Sequence, residues 1–308
     1  MKIFKPKFWL DDKVNILSIL LFPFSAIYMI IHSIKKRLSL EKKLNIPVIC
    51  VGNIYIGGTG KTPLSIKIVD LIKHNKKSVI IKKYYKKHAD EHKLIRQHSN
   101  LIISSNRVQA VKQAQKNNFD VAILDDGFQD YSLKKDLNII CFSSKQLLGN
   151  GFVLPSGPLR ETLDSIKRAK IIVINGDKNK IFEQKLLSVA NNIKIFYSKY
   201  MPLNIDKVKN KNIFAFAGIG NPENFFDMLT KSGFNVKKTL SFPDHYKYKQ
   251  SEIQSIIDEA KKNGFQTLTT EKDYYRIKHL NLHSLEYLKV DLKIENEDKF
   301  TDQILKNL

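Results

Sequence analysis

Residues Ile46–Asp70 read IPVICVGNIYIGGTGKTPLSIKIVD, and their order decides the fold. Val48–Val51 are an apolar run with the character of a buried strand. Glycines follow at 57, 58 and 60, then Lys61 and Thr62. Apolar residues then recur at Leu64, Ile68, Leu71 and Ile72 with helical spacing. Strand, glycine loop, Lys-Thr and helix form the layout of a phosphate-binding P-loop. Glycines let backbone N–H groups converge on phosphate oxygens, and the helix N-terminus adds partial positive charge. In that layout Lys61 reaches the outer phosphates and the Thr62 hydroxyl ligates Mg2+. Pro63 suits the first helical turn, where a missing N–H is no loss. The strict motif opens with glycine where this chain has Tyr55. The loop Tyr55, Ile56, Gly57, Gly58, Thr59, Gly60, Lys61, Thr62 thus departs from it at one position.

The chain has 308 residues, enough for two cores. Its net charge of +22 points to a polyanionic partner: nucleic acid, an anionic membrane face or a phosphorylated substrate. Cys50 and Cys141 both sit in apolar runs, which argues against a disulfide or a metal pair and fits a reducing compartment. Val14–Ile34 carry no Asp, Glu, Lys or Arg and are long enough to cross a bilayer as a helix. Pro23 interrupts the run, and Asn15, Ser18, Ser25 and His32 form a narrow polar stripe along it. Lys35, Lys36, Arg37, Lys42 and Lys43 follow, a cluster suited to anionic headgroups on the cytoplasmic side. No small-x-small cleavage site follows, so the segment reads as a membrane anchor. Crossing and dipping both remain open. The expected organisation is an anchoring segment at 1–40, a P-loop domain at 41–199, a linker at 200–212 and a smaller α/β domain at 213–308.

Further strands are predicted at Ser78–Lys83, Leu101–Ser105, Asp136–Phe142 and Lys170–Asn175, and a helix at Arg107–Asn117. Lys82–Lys87, KKYYKK, reads as a basic and aromatic loop suited to a phosphorylated ligand. Asp120–Gln129, DVAILDDGFQ, runs from a buried strand into Asp125 and Asp126. A carboxylate at the C-terminal edge of a strand beside the P-loop is what its Mg2+ side requires. Gly149–Glu161, GNGFVLPSGPLRE, is a rigid loop whose glycines and prolines explain its shape but not Arg160 and Glu161. Past the linker come a strand at Ile213–Ala217, GIGNP at Gly218–Pro222, SFPDHY at Ser241–Tyr246, TLTTEKD at Thr267–Asp273, and a last strand at Leu288–Ile294. A kinase must also deprotonate its acceptor hydroxyl, and Asp90, Asp126 and His245 are the candidates.

IGGTGKT, DDGFQ, GNGFVLPSGPLRE, GIGNP and FPDHY, in this order behind an apolar N-terminal segment, resemble the tetraacyldisaccharide 4'-kinases of lipid A synthesis. The resemblance covers nearly the whole chain and accommodates Tyr55, since that family often lacks the first glycine. It implies two α/β domains, the first a P-loop NTPase-like parallel sheet, with the active site in the cleft between them. It implies ATP and Mg2+ as cofactors, and transfer of the γ-phosphate to the 4'-hydroxyl of a lipid A disaccharide 1-phosphate. The place implied is the cytoplasmic face of an anionic inner membrane. Asp90 then matches the catalytic carboxylate and His245 its partner, Asp125 and Asp126 the Mg2+ aspartates, and Arg107, Gln129, Arg160 and Glu161 further active-site positions. Two departures stand out: Ala89 replaces a glycine before Asp90, and Lys82-Lys83-Tyr84-Tyr85 stands where many members carry Arg-Gly-Tyr-Gly. A membrane-associated ATPase of the partitioning type shares the GGxGKT loop, but Ile56 holds the place where those proteins carry lysine. No nucleic-acid module accompanies the charge, so no nucleic-acid partner is expected. Oligomeric state is not legible.

Overall fold

The structure, a computed structural model, describes residues 6–10, 15–84, 89–204, 206, 208, 210–244, 246–280, 282 and 284–308, without the side chains of residues 89 and 90. It confirms the α/β class. The larger sheet contains β1 (Val48–Gly52), β2 (Ser78–Lys83), β3 (Leu101–Ser104), β4 (Val121–Asp125), β5 (Leu137–Ser143), β6 (Ile171–Asn175), β7 (Lys194–Pro202) and β12 (Val290–Ile294). Their spatial order is β12-β7-β6-β5-β1-β4-β2-β3. All pairs are parallel except β12 with β7. Strands such as VICVG and VAILD are apolar without alternation because both faces are covered. One face carries α4 (Arg107–Lys116) and α5 (Lys180–Val189), the other α2 (Lys61–Ile72) and α9 (Glu297–Leu305). β1 lies at the centre, and its register sets Val51 opposite Asp125 of β4. The loop after β1 and the carboxylate ending β4 therefore share one edge of the sheet, where such sheets bind ligands.

The smaller sheet is parallel, in the order β11-β10-β8-β9, from β8 (Asn212–Ala217), β9 (Asn235–Ser241), β10 (Gln266–Thr270) and β11 (Leu285–Leu288). α6 (Pro222–Lys231) packs Phe225, Phe226 and Leu229 on one face. α7 (Gln250–Lys262) packs Ile253, Ile256 and Ile257 on the other. α3 (Ala89–His98) of the large lobe meets α8 (Glu271–Ile277) of the small one.

Two expectations change here. Leu288–Ile294 is not one strand: Leu288 ends β11 in the small sheet and Val290 begins β12 in the large one. Residues 290–308 thus return to the large sheet, where Lys67 of α2 meets Glu297 at 3.1 Å and Asp291 at 3.5 Å. The expected linker is also shorter, because Tyr200–Pro202 belong to β7. The chain crosses between lobes twice, side by side, with Leu203 N–H donating to Lys289 O at 2.9 Å.

The N-terminal segment forms α1 (Ile16–Leu38), long and apolar enough to cross a membrane by length and composition. Its polar stripe faces the protein. Ser25 Oγ donates to Val153 O at 2.8 Å and accepts from Ser156 N–H at 3.0 Å. Ser18 Oγ accepts from Asn150 Nδ2 at 3.0 Å, and the His32 ring lies 5.6 Å from that of Tyr131. Asn15 instead caps the helix, accepting from Leu17 N–H. Ile16, Leu20, Phe24, Ile27 and Ile31 are exposed.

The site edge tolerates little added volume. A Cβ at Gly52 would collide with Phe128 of the DDGFQ turn. Gly52→Ala is expected to destabilise the protein by about 1–3 kcal/mol, the usual cost of overpacking, as a lower urea midpoint at unchanged slope.

Candidate active site

The P-loop is shaped from within and clamped from outside. Gly57 and Gly60 both have φ of +91°, in the left-handed region that glycine alone adopts without strain. Asn53 Nδ2 lies 2.5 Å from Tyr55 O and 3.0 Å from Thr59 Oγ1, bridging the loop's two arms. Tyr55 is fully buried in the core below, so its ring anchors the loop where the strict motif has glycine. Burial pushes its phenol up to about 12. The GNGFVLPSGPLRE loop supplies the clamp: Ile56 N–H donates to Pro158 O at 2.9 Å and Arg160 N–H to Ile54 O at 2.6 Å. Gly58 faces Gly220 of GIGNP, and a Cβ on Gly220 would stand 3.0 Å from Gly58 N. The two lobes therefore meet at the P-loop itself, backbone against backbone.

Thr62 Oγ1 donates to Asp125 Oδ2 at 2.7 Å. Asp125 is wholly buried, and its Oδ1 has no hydrogen-bond partner among the described residues. The same Oδ2 accepts from Lys82 Nζ at 2.5 Å, and Lys82 meets Glu91 Oε2 at 2.7 Å. Burial opposes the Lys82 charge, but Asp125 and Glu91 outweigh it and raise its pKa. Lys82 falls in both the predicted strand Ser78–Lys83 and the predicted loop 82–87; it lies in β2, as the strand reading has it, and is buried. Residues 85–87 of that expected loop lie outside the described residues.

Asp126 faces elsewhere. It has φ of +62°, an uncommon conformation for a residue with a side chain. Its Oδ1 stands 2.8 Å from Arg160 and 3.7 Å from Lys61. Burial opposes its ionisation, but Lys61 and Arg160 hold the carboxyl well below the usual range. Arg107 braces this turn from behind, donating to Asp126 O at 2.7 Å and to Asp130 at 2.9 Å. Gln129 Nε2 donates to Asn53 O at 3.0 Å and Glu161 Oε1 at 2.9 Å. Glu161 also pairs with Arg168 and accepts from the Tyr131 hydroxyl at 3.0 Å. Arg107, Gln129 and Glu161 thus hold the site's frame, while Arg160 and Lys61 present charge at its edge.

Mg2+ characteristically keeps several waters and takes one or two protein oxygens together with phosphate. Thr62 and the unpartnered Asp125 Oδ1 fit that requirement, and no cluster of three ligating side chains is found among the described residues. Asp126, the other expected Mg2+ aspartate, turns its Oδ1 to Arg160 and Lys61. The Asp90 side chain and all of His245 lie outside the described residues. Their neighbours do not: Lys272 of α8 reaches Glu91 Oε1 at 3.0 Å and Asp244 Oδ1 at 3.4 Å. Lys82 is read from sequence only as part of the Ser78–Lys83 strand and the KKYYKK run, and Lys272 is not singled out. The signal available was TLTTEKD itself, a strand running into charged residues as DVAILDD does.

A family model described as tetraacyldisaccharide-1-P 4'-kinase matches residues 17–308. Proteins named tetraacyldisaccharide 4'-kinase from Pelagibacter ubique (strain HTCC1062) and Rickettsia canadensis (strain McKiel) are 41% and 35% identical to this chain, each over 99% of it and 98% of their own length. The solved structure of LpxK from Aquifex aeolicus in complex with ATP is similar over 95% of this chain and 99% of its own, with a TM-score of 0.73 and 29% identity.

The turn's ionic frame should be visible in acid. Burial opposes ionisation of Asp130, but bonds from Ser132 and Arg107 outweigh it and lower its pKa from 3.8 to about 2. A carboxyl lowered on folding stabilises the protein above its unfolded pKa and loses that contribution as pH falls through the folded one. Wild type is expected to lose stability between about pH 4 and pH 2. Asp130→Asn should be less stable at neutral pH and show a shallower loss in that window, measured by urea unfolding against pH.

Proposed function

The chain belongs to the tetraacyldisaccharide-1-P 4'-kinase family, and on that premise we propose a role for each part of its cleft. It is an ATP-dependent kinase that phosphorylates the 4'-hydroxyl of a tetraacyldisaccharide 1-phosphate, forming lipid IVA. The observation that carries this reading is the Thr62–Asp125 bond of 2.7 Å beneath a P-loop whose register places both at one sheet edge. The N–H groups of residues 57–62 cradle the phosphates, and Lys61 neutralises charge at the transferring phosphoryl. Thr62 and Asp125 would hold Mg2+, which when bound adds positive charge against the phosphate oxygens. Asp126 orients Lys61 and Arg160 rather than a metal. Asp90 takes the 4'-hydroxyl proton, with His245 as its partner. The 4'-oxygen bonds to the γ-phosphorus as the bond to the β–γ bridging oxygen breaks and ADP leaves.

We also propose that α1 lies in the membrane interface rather than crossing the bilayer. It rests on the protein by Ser18, Ser25 and His32, contacts spread along its length, while its apolar sides face outward. A helix held lengthwise against a water-soluble body cannot also stand across a bilayer. Lys35, Lys36 and Arg37 close it at anionic headgroups, each contributing about 1 kcal/mol near such a surface. ATP supply places the catalytic body on the cytoplasmic face.

The activity is tested with γ-labelled ATP and the purified disaccharide lipid: label should appear on the lipid. Lys61→Ala, Thr62→Ala and Asp90→Ala should each lower turnover by roughly 100- to 1000-fold, as loss of electrostatic groups typically does. Wild-type turnover in Lys61→Ala would refute the P-loop assignment. For α1, Ile27→Asp/Ile31→Asp should stay folded and fail to float with anionic vesicles. Wild type should float, and alkaline carbonate should release it; resistance to carbonate would instead indicate a crossing helix.

A further inference from the structure

Lys272 is the one charged side chain of the TLTTEKD tract that reaches the other lobe's Glu91. Thr270 sets it in place: its Oγ1 caps α8, accepting from Asp273 N–H at 3.0 Å, so Lys272 leaves the first helical turn. Its ammonium stands 3.0 Å from Glu91 Oε1 and 3.4 Å from Asp244 Oδ1. Glu91 belongs to α3 of the large lobe, and Asp244 to the turn after β9 of the small one. The second Glu91 oxygen meets Lys82 at 2.7 Å, and Lys82 meets Asp125 at 2.5 Å. One carboxylate thus joins a lysine under the P-loop to a lysine of the other lobe. Tyr275, one turn on, donates to Gln97, and His98 stands 3.8 Å from Glu271, so the α3–α8 contact is broader than one ion pair. Lys272 and Glu91 are each about one-sixth exposed, which leaves them less screened than a surface pair.

In sequence Glu91 follows Asp90, and Asp244 precedes His245. Lys272 therefore connects the two chain positions that adjoin the base and its partner. Lysine carries three donors on a compact charge and can serve two carboxylates at once. Glu91 also meets Lys82 at 2.7 Å and Asp244 also meets Arg276 at 3.8 Å, and the Lys272 ammonium stands between the two carboxylates. We propose that Lys272 is a positioning residue for phosphoryl transfer, its ammonium fixing the spacing of Glu91 and Asp244, the sequence neighbours of Asp90 and His245. This rests on the reading of Asp90 and His245 as the acceptor side.

The test uses the full-length protein in mixed micelles with ATP and the disaccharide lipid. Misplacement of about 1 Å can cost a hundredfold, so Lys272→Met should lower kcat by roughly 10- to 100-fold. The KM for ATP should stay within about twofold, because the lost interaction does not bind nucleotide. Lys272→Arg should recover part of kcat. Adding Lys272→Met to Glu91→Gln should cost little beyond Glu91→Gln alone, the mark of one shared interaction. Unchanged kcat in Lys272→Met overturns the proposal. So does a loss that raises the KM for ATP and lowers Tm together and that arginine does not recover, since that is a structural role. Asp90→Ala and His245→Ala run beside it. If both keep wild-type turnover, the underlying reading fails and takes this inference with it. If both lose turnover while Lys272→Met does not, this inference alone fails. Should Lys272→Met not fold, Asp244→Asn tests the bridge from its other end with the same expected loss of kcat and the same overturning result.

Discussion

The buried Asp125 carboxylate is the constraint on which the rest of the structure depends. A charge removed from water must be paired, at a penalty of several kcal/mol otherwise. The pairing here involves three elements: β4 carries the carboxylate, α2 brings the Thr62 hydroxyl, and β2 brings the Lys82 ammonium. Each element is held by packing that has nothing to do with phosphate. β4 sits between β1 and β2 because all three are apolar on both faces. α2 lies where Leu64, Ile68 and Ile72 bury against that sheet. The chemistry of the cleft is thus preorganised by the hydrophobic core, with one oxygen of Asp125 left over for what arrives with nucleotide.

From that point charge alternates outward. Asp125, Lys82, Glu91, Lys272 and Asp244 form a chain of opposite signs that begins under the P-loop and ends in the small lobe. The small lobe continues it through Arg276, which pairs with Asp273 at 2.7 Å, while Asp273 Oδ2 accepts from Gly218 N–H at 2.9 Å. GIGNP is thereby held at Gly218 by this ionic chain and at Gly220 by the close approach to Gly58. The lobes are joined near the phosphates as well as at their covalent crossings. A change at the nucleotide loop therefore has a short mechanical path to the FPDHY turn.

Much of this was legible in the sequence. The continuous apolar runs announced a parallel sheet, the glycines and Lys-Thr announced the P-loop, and DVAILDD announced its neighbour. What escaped notice depended on strand order. Lys82 belongs to the run KKYYKK, and a lysine at a strand end reads as solvated until the adjacent strand is known to end in aspartate. Lys272 lies 181 positions from Glu91, and no local pattern links them. LKVDLKI reads as one strand because no glycine or proline breaks it, yet Leu288 and Val290 belong to different sheets. Asp125 and Asp126 are adjacent and alike in sequence. Only the left-handed turn at Asp126 separates their roles, sending one to Thr62 and the other to Lys61 and Arg160.

α1 shows the same logic at the surface. Its serines and histidine looked like a faint stripe on a membrane helix, and by hydropathy they are a defect. Against the protein they are what orients the helix. Ser25 satisfies backbone groups of the 149–161 loop that a leucine could not, and Asn150 of the same loop reaches Ser18. That loop also clamps the P-loop and presents Arg160. The element suited to a lipid surface and the element that shapes the nucleotide site are thus bonded through one short segment. With α1 in a lipid surface, as proposed, this segment would set the distance between that surface and the cleft.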